Sequence, residues 1–489
     1  MREQSAEYFP FADVRRCDMR VTLRVEALGA KEAASFSTSN GDEGLTADQL
    51  AGWVSNEISG EDGVFSSPPY IYASFAEAVS SAGITLYFGE SAYPTSIRVT
   101  AYAADGVSYV ARGTFSNGGP VASINLRADD YYSLKVEFLE MGAGSAAVQF
   151  EDIVFGLLKV YDKDSIQSAT IINKAGFAGE SLPSQQLTLV VDNSTKEYDL
   201  LNPGGIYKYF EDGQAMEVEC IIDDEPIFMG TYYFQTASTP NSSLLTTIKG
   251  GDKILALAGD KFTAGSGGKT TLAAMVDLVL ADTGISAKYE GSLASAEVTG
   301  AISNTTNKRE ALRLLAQAAR CSCWINRDNE LYFGALELAF PSRRTFTHDD
   351  LVNLGGFTIA EKVDMVKLTV NNSFTEVKTE YTHGEGLNVK SVSNPCVADG
   401  AAVAEWLYDC YQRRRKYKTA NRGDPALEIG DTIMIYDPYK TDFYATITGI
   451  TLKYNGGFTV TTEGVGPGKP VMVFPYYANE LFAGELLNA

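Results

Sequence analysis

The sequence predicts a mainly β protein with an α+β insert. An N-terminal β-sandwich of jelly-roll type comes first, and two later β units follow with a small α+β unit between them. Three observations carry this. Short runs of alternating apolar and polar residues recur along the chain, each bounded by Gly, Asn, Asp or Pro. The 27 Tyr and 24 Phe, with abundant Gly, Thr and Ser, form a composition that suits pleated, half-buried surfaces. Helical periodicity is confined to a few stretches. At 489 residues the chain exceeds one ordinary core, so two to four domains are expected.

The first unit spans residues 1–164. MRVTLRVEA (Met19 to Ala27) alternates as a strand, and a polar stretch, Ser35 to Asp62, follows. β-like runs then recur at Ile84 to Phe88, Ile97 to Ala103, Ser108 to Phe115, Ser133 to Phe138 and Val148 to Phe155. Turn signals such as Asp105-Gly106 and Asn117-Gly118-Gly119 separate them, the spacing of a sandwich. The second unit, 165–260, opens after the polar linker YDKDS. Within it Leu187, Leu189 and Val191 alternate with their neighbours, and Asn202-Pro203-Gly204-Gly205 is turn chemistry. Positive φ is expected at Gly204 and Gly205, so valine at both should damage folding or assembly.

Residues 261–340 form the α+β unit. Thr270 to Ala281 places Leu272, Met275, Val276 and Val279 on one face, and Gly284 lies just past its end. Asn307 to Arg320 starts with a cap, Asn307, and has Glu310 three residues on, a capping-box pattern. CSCWINRDNELYFG reads as a hairpin turning at Asp328-Asn329. The unit 341–466 returns to β, with Met365 to Val370 and Phe374 to Thr382 as paired strands. Its helix, 399–417, ends in the basic QRRRKYK, which suits a helix C-terminus. Asn455-Gly456-Gly457 between alternating runs is a hairpin signal. The tail, 467–489, starts with helix breakers and turns apolar, as a segment that docks on a neighbouring surface does.

The formal charge of −22 and pI near 4.6 disfavour binding to a phosphate backbone, so no sequence-specific nucleic-acid binding is expected. Only His348 and His383 are present, which lowers the expectation of acid–base or zinc chemistry. The cysteines, at 17, 220, 321, 323, 396 and 410, show no CxxC spacing and read as free thiols of a protein made inside a cell. No apolar run approaches the ~20 residues of a membrane helix, and MREQSAEYFPFADVRR lacks the apolar core of a signal peptide. Folding in the cytoplasm is expected.

Candidate chemistry is weak throughout. GSGGKTT (Gly265 to Thr271) resembles a phosphate loop, but the position that needs the first Gly is Thr263. Arg422-Gly423-Asp424 spells an adhesion tripeptide in an ordinary turn context. Cys321-Ser322-Cys323 has no accompanying ligand cluster. Asp129-Asp130, Asp223-Asp224-Glu225 and Asp349-Asp350 are acidic clusters without the diagnostic spacing of a calcium or glycosidase site. No cofactor, metal or catalytic residue is therefore expected, and the chain is not expected to be an enzyme. SSPPYIYASF (Ser66 to Phe75) and Tyr131-Tyr132 read as aromatic-rich loops exposed by the sandwich; stacking on sugars is one reading of these aromatics, and core and interface packing is the favoured one. A carbohydrate-binding host-surface protein using the sandwich is the alternative function.

The order ESLPSQQLTLVVDN, YDLLNPGGIYKYFEDGQAMEVE and IFMGTYYF resembles tail hub proteins of phages and phage-like particles of Gram-positive bacteria. The later runs EALRLLAQAARCSCWINRDNELYFG, GDPALEIGDTIMIY and ATITGITLKYNGGFTVTTEGVG extend the resemblance. RVTLRVEA, ISGEDGVFSSPPYIYASF and GITLYFGESAYPTSIRVTAY are similar to the sandwich that some members carry before the hub. The resemblance implies a homo-oligomeric ring, a trimer with two β-barrels per subunit, here 165–260 and 341–466. It implies a virion-tail location at the distal tip or baseplate, with the tail tube or distal tail proteins, the tape measure protein and a spike or fibre as partners. A host-surface glycan is a further expected partner, and an acidic wall suits a passage that DNA crosses without sticking. The turn Asn202, Pro203, Gly204, Gly205, Ile206 and Tyr207 is the expected place of subunit contact.

Overall fold

The computed structural model describes residues 17–467, apart from 200, 241–242, 263–266, 304, 348–349, 373–376, 423 and 436–442. Three apolar clusters organise the chain, and the strand assignments follow from which cluster each alternating face enters.

The mainly β architecture read from the sequence is what the structure has. Its sandwich sets a five-stranded antiparallel sheet against a three-stranded one. The larger runs Ser35–Thr38, Tyr70–Ser81, Ala128–Met141, Pro94–Tyr102, Tyr109–Ser116; the smaller runs Val121–Ile124, Ile84–Phe88, Phe150–Val154. Phe36, Phe75, Phe88, Phe138, Phe150 and Phe155 fill the space between them. One expectation fails here. SSPPYIYASF is not an exposed loop: from Tyr70 on it is a strand that turns Ile71, Ala73 and Phe75 inward. Phe75 meets the buried Tyr131 edge to face at 5.8 Å. The period-2 alternation of the strand decides which aromatics are core.

The boundary expected near residue 164 also shifts. Cys17–Glu26 and Gly156–Tyr161 pair with each other, and both belong to a central sheet rather than the sandwich. The sandwich is an excursion between two neighbouring strands of that sheet. Among the described residues the sheet has 13 strands. Its path is Gly156–Tyr161, Cys17–Glu26, Ala215–Ile222, Glu225–Ser238, Leu245–Gly251, Gln186–Asp192, Ile166–Lys174, Phe443–Tyr454, Phe458–Gly466, Arg415–Asn421, Leu351–Ile359. Thr432–Ile435 pairs the start of Phe443–Tyr454 and also, in parallel, Arg344–Phe346. The two β units expected at 165–260 and 341–466 therefore share one sheet. They are sewn together where Ala169–Lys174 pairs antiparallel with Gly449–Tyr454. One continuous apolar cluster serves both halves, from Met19, Val21 and Leu189 to Ile447, Leu452 and Val460.

The third cluster holds the longer helices. Leu272–Leu280 is capped by Thr271, whose Oγ1 accepts from the Ala274 N–H at 3.3 Å, and Lys308–Ala318 by Asn307, which accepts from Glu310 at 2.8 Å. Glu310 does not close the capping box; its carboxylate pairs with Arg313 instead. The hairpin Ser322–Ile325 to Leu331–Gly334 turns at Asn329, where φ is +64°. Met365–Asn372 pairs Val377–Gly384, as expected, but these strands, Val389–Ser393 and helix Gly400–Gln412 join this cluster and not the sheet core. The helix expected over 399–417 stops at Gln412. Asp399 caps it, and the basic run goes into strand Arg415–Asn421, where Lys418 pairs with Glu463 of the neighbouring strand at 2.8 Å.

A buried clasp joins the helical unit to the sheet. Gln185 donates its backbone N–H to Asp252 Oδ2 at 2.8 Å and its side-chain amide to the Ile325 carbonyl. Burial pushes the Asp252 carboxyl up from 3.8 to about 7, against the opposing pull of the Gln185 N–H and of Arg309. The folded protein therefore binds more protons than the unfolded chain between these values, and stability falls as pH rises from about 4 to about 7. Asp252→Asn should flatten that decline. Melting temperature followed against pH checks it, and an unchanged slope in the variant would count against the assignment.

Candidate assembly surface

The turn expected to make subunit contacts is tied mostly to its own chain. Asn202 Nδ2 donates to the Lys196 carbonyl at 2.8 Å, and its Oδ1 accepts from the Gly204 N–H at 3.0 Å. Ile206 N–H donates to Glu197 O at 3.0 Å, and the Ile206 side chain is buried in the sheet cluster. Just beyond, Lys208 and Tyr209 reach Asp129 of the sandwich at 2.5 and 3.0 Å. Pro203 and Gly204 are exposed, Tyr207 is half-buried, and Leu201, which the sequence reading passed over, is 94% exposed.

Neither Gly204 nor Gly205 has positive φ, which corrects the reason given for them. Gly205 is required by close approach instead. A Cβ there would lie 2.6 Å from the Glu197 carbonyl oxygen, whereas one at Gly204 would meet nothing closer than 3.5 Å.

The ends of the central sheet differ. Gly156–Tyr161 lies against the sandwich, where a Cβ on Gly83 would come within 2.6 Å of the Leu157 side chain. At the other end Leu351–Ile359 has Arg415–Asn421 as its one neighbour among the described residues. It presents Val352, Phe357 and Ile359, each at least half exposed. The sequence hid this strand because Gly355-Gly356 interrupts its alternation, and its register slips between Asn353 and Gly356. An open edge with apolar side chains is a template for pairing with another chain.

Beside this end, a cavity of about 580 Å³ opens between the Arg415–Asn421 strand, helix Gly400–Gln412 and the segment 175–180. Several of its charges are paired: Lys390 with Glu180 at 3.0 Å and Lys418 with Glu463, and the Tyr411 hydroxyl donates to Glu180 at 2.8 Å. Arg413 forms one wall. It donates to the carbonyls of Leu336 and Val465 and to Thr446 Oγ1, and lies over the Phe177 ring at 5.1 Å. One guanidinium thus ties the last helix to the sheet.

The other sequence candidates are structural. Lys269–Thr271 is a short strand whose last residue caps a helix, so GSGGKTT, as far as it is described, is no phosphate loop. Asp424 is buried, 3.6 Å from Arg344, and Gly423 lies outside the described residues. Cys321, Cys323 and Cys396 are buried free thiols, and burial pushes Cys323 and Cys396 up to about 12. Asp223 and Asp224 take positive φ in the hairpin before Glu225–Ser238. His383 faces Tyr408 at 5.1 Å, while His348, Asp349 and the tail from 468 on lie outside the described residues. No group of three metal-ligating side chains occurs among the described residues.

No protein-family model matches the chain, and no curated protein matches its sequence. Solved structures do. The chain is similar to the 43 kDa tail protein of prophage MuSo2 from Shewanella oneidensis (15% identity, TM-score 0.44), over 63% of this chain and 96% of that one. It is similar to a tail protein from Neisseria meningitidis (13%, TM-score 0.45), over 63% and 93%. It is also similar to the E. coli c3393 protein, a component of the type VI secretion system (11%, TM-score 0.40), over 64% and 77%.

Two substitutions separate packing from turn conformation. Gly205→Val should destabilise by about 3 kcal/mol through overpacking, while Gly204→Ala should stay within about 0.5 kcal/mol of the parent; equal losses in urea unfolding would contradict this. Arg413→Met leaves buried carbonyls without a donor and should cost roughly 2–4 kcal/mol. Hydrogen exchange should then rise first in Gly400–Gln412, and uniform exchange along the chain would speak against Arg413 as the tie between that helix and the sheet.

Proposed function

We propose that this chain is a structural hub subunit of a phage tail or tail-like particle, acting by assembly and not by catalysis. The observation that carries the reading is the central sheet. Two halves share one core, and the sheet ends in an open edge bearing Val352, Phe357 and Ile359. The sequence motifs that resemble tail hubs fall on the strands and turns that build this sheet and its helical insert.

In this reading the subunit closes a ring, a trimer in which each chain supplies two similar halves, so that the symmetry approaches sixfold. Closure by symmetry satisfies the backbone groups of the open edge and removes an aggregation hazard. The ring joins the tail tube or distal tail proteins to a spike or fibre, with the tape measure protein passing above it. The net charge of −22 gives a passage that DNA crosses without adhering. Assembly takes place in the host cytoplasm.

Mass measurement and imaging of the purified chain at rising concentration test the reading. A closed ring is expected, and Phe357→Lys with Ile359→Lys should leave a folded monomer. A parent that stays monomeric, alone and with tail-tube protein, would overturn it. Zymography on cell walls should give no clearing, and a lytic band would contradict the non-catalytic role.

A further inference from the structure

The outer face of the five-stranded sandwich sheet has a composition unlike the rest of the chain. Its inner face enters the core, so alternate residues point away from the protein. The register stacks them in rows across the strands. Tyr72, Lys135, Thr100 and Arg112 form one row. Tyr70, Glu137, Arg98 and Thr114 form the next, and Ser74, Ser133, Tyr102 and Tyr109 a third.

Two features of this face point to one ligand class. The first is charge. Three cations, Arg98, Arg112 and Lys135, stand against two anions, Glu137 within these rows and the exposed Glu140 opposite Ser96 in the next, on a chain whose net charge is −22. Glu137 lies 3.2 Å from Lys135 and 3.8 Å from Arg98, which leaves Arg112 exposed beyond the pair. The second is the tyrosines. Tyr72 and Tyr102 have ring centroids 6.4 Å apart, and the Tyr72 hydroxyl is held by donating to Ser133 Oγ at 2.7 Å. Tyr109, at the edge strand, is 64% exposed. Lys135 covers the Tyr70 ring at 4.5 Å, so the available rings are Tyr72, Tyr102 and Tyr109.

We propose that this face binds an acidic polysaccharide whose sugar rings carry carboxylates, a uronate-type chain. The tyrosine rings take the apolar faces of the sugars, and the fork of Arg112, with Arg98 and Lys135 behind it, takes the carboxylates. A flat cationic patch alone would serve any polyanion; rings interleaved with cations on a rigid sheet suit an anion that also has an apolar ring face, as a uronate does. The face lies on the sandwich, away from the open edge Leu351–Ile359, so the proposal does not rest on the hub reading.

Calorimetric titration of the full chain with alginate, polygalacturonate, neutral dextran and polyphosphate tests it, since none of these readouts needs a ring. Binding of at least one polyuronate is expected, at least tenfold tighter than dextran or polyphosphate. Tyr109→Ala and Arg112→Ala, both exposed and checked for parental melting temperature, should each weaken it at least tenfold. Failure to bind either polyuronate, equal binding of polyphosphate, or unchanged binding in both variants would overturn the proposal.

Discussion

The antiparallel pairing of Ala169–Lys174 with Gly449–Tyr454 is the constraint on which the rest depends. It joins segments far apart in the chain, and the chain between them adds strands to the sheet, leaves it for the helical unit and returns. The helical unit and the strands from Gln186–Asp192 to Thr432–Ile435 are all held inside that closure. Such a contact rewards folding only after a long loop has been closed, which makes the sheet a late, cooperative product rather than a local one. Lys174 and Lys418 both reach Glu463, so the seam and the adjoining strands share an ionic clamp at their surface.

Polar side chains do the joining elsewhere. Arg313 Nη1 donates to the Gly179 carbonyl at 3.0 Å and Arg309 Nε to Leu182 at 2.6 Å, while Gln317 reaches Ala178. Asn394 donates to the Leu314 carbonyl at 2.9 Å. Arg313, Arg309 and Gln317 serve backbone oxygens of the stretch 175–185, where a buried carbonyl has no ladder partner, and Asn394 serves one inside helix Lys308–Ala318. The irregular stretch 175–185, between two central strands, is thereby fixed to helix Lys308–Ala318.

The sequence spoke clearly about local structure. Ile84–Phe88 ends where its alternation ends, Asn455-Gly456-Gly457 turns a hairpin, and Asn307 starts a helix. It was silent about which sheet a strand joins. Alternation in RVTLRVE says that two faces differ, yet nothing in it names Gly156–Tyr161 and Ala215–Ile222 as neighbours. Tertiary pairing also overrode local preference. The basic run after Gln412 suits a helix end, but its partners lie on adjacent strands. The candidate surface was less legible still. The six-residue turn was visible as a turn, but its inward bonds were not, and the open strand Leu351–Ile359 was masked by its glycines. Tyr70 and Tyr72 looked like loop aromatics until the register placed them on one outer face.

The sandwich leaves the central sheet after Glu26 and rejoins it at Gly156, and these two residues are cross-strand partners. Paired Cα atoms of this kind lie about 5 Å apart. An entire folded body therefore hangs from a gap no wider than a hairpin turn. A two-residue link could close that gap, or a body of another shape could fill it, without altering a single strand pairing in the sheet. In evolutionary terms the sheet is a chassis with a socket, and whatever the sandwich recognises can be exchanged while the chassis stays the same.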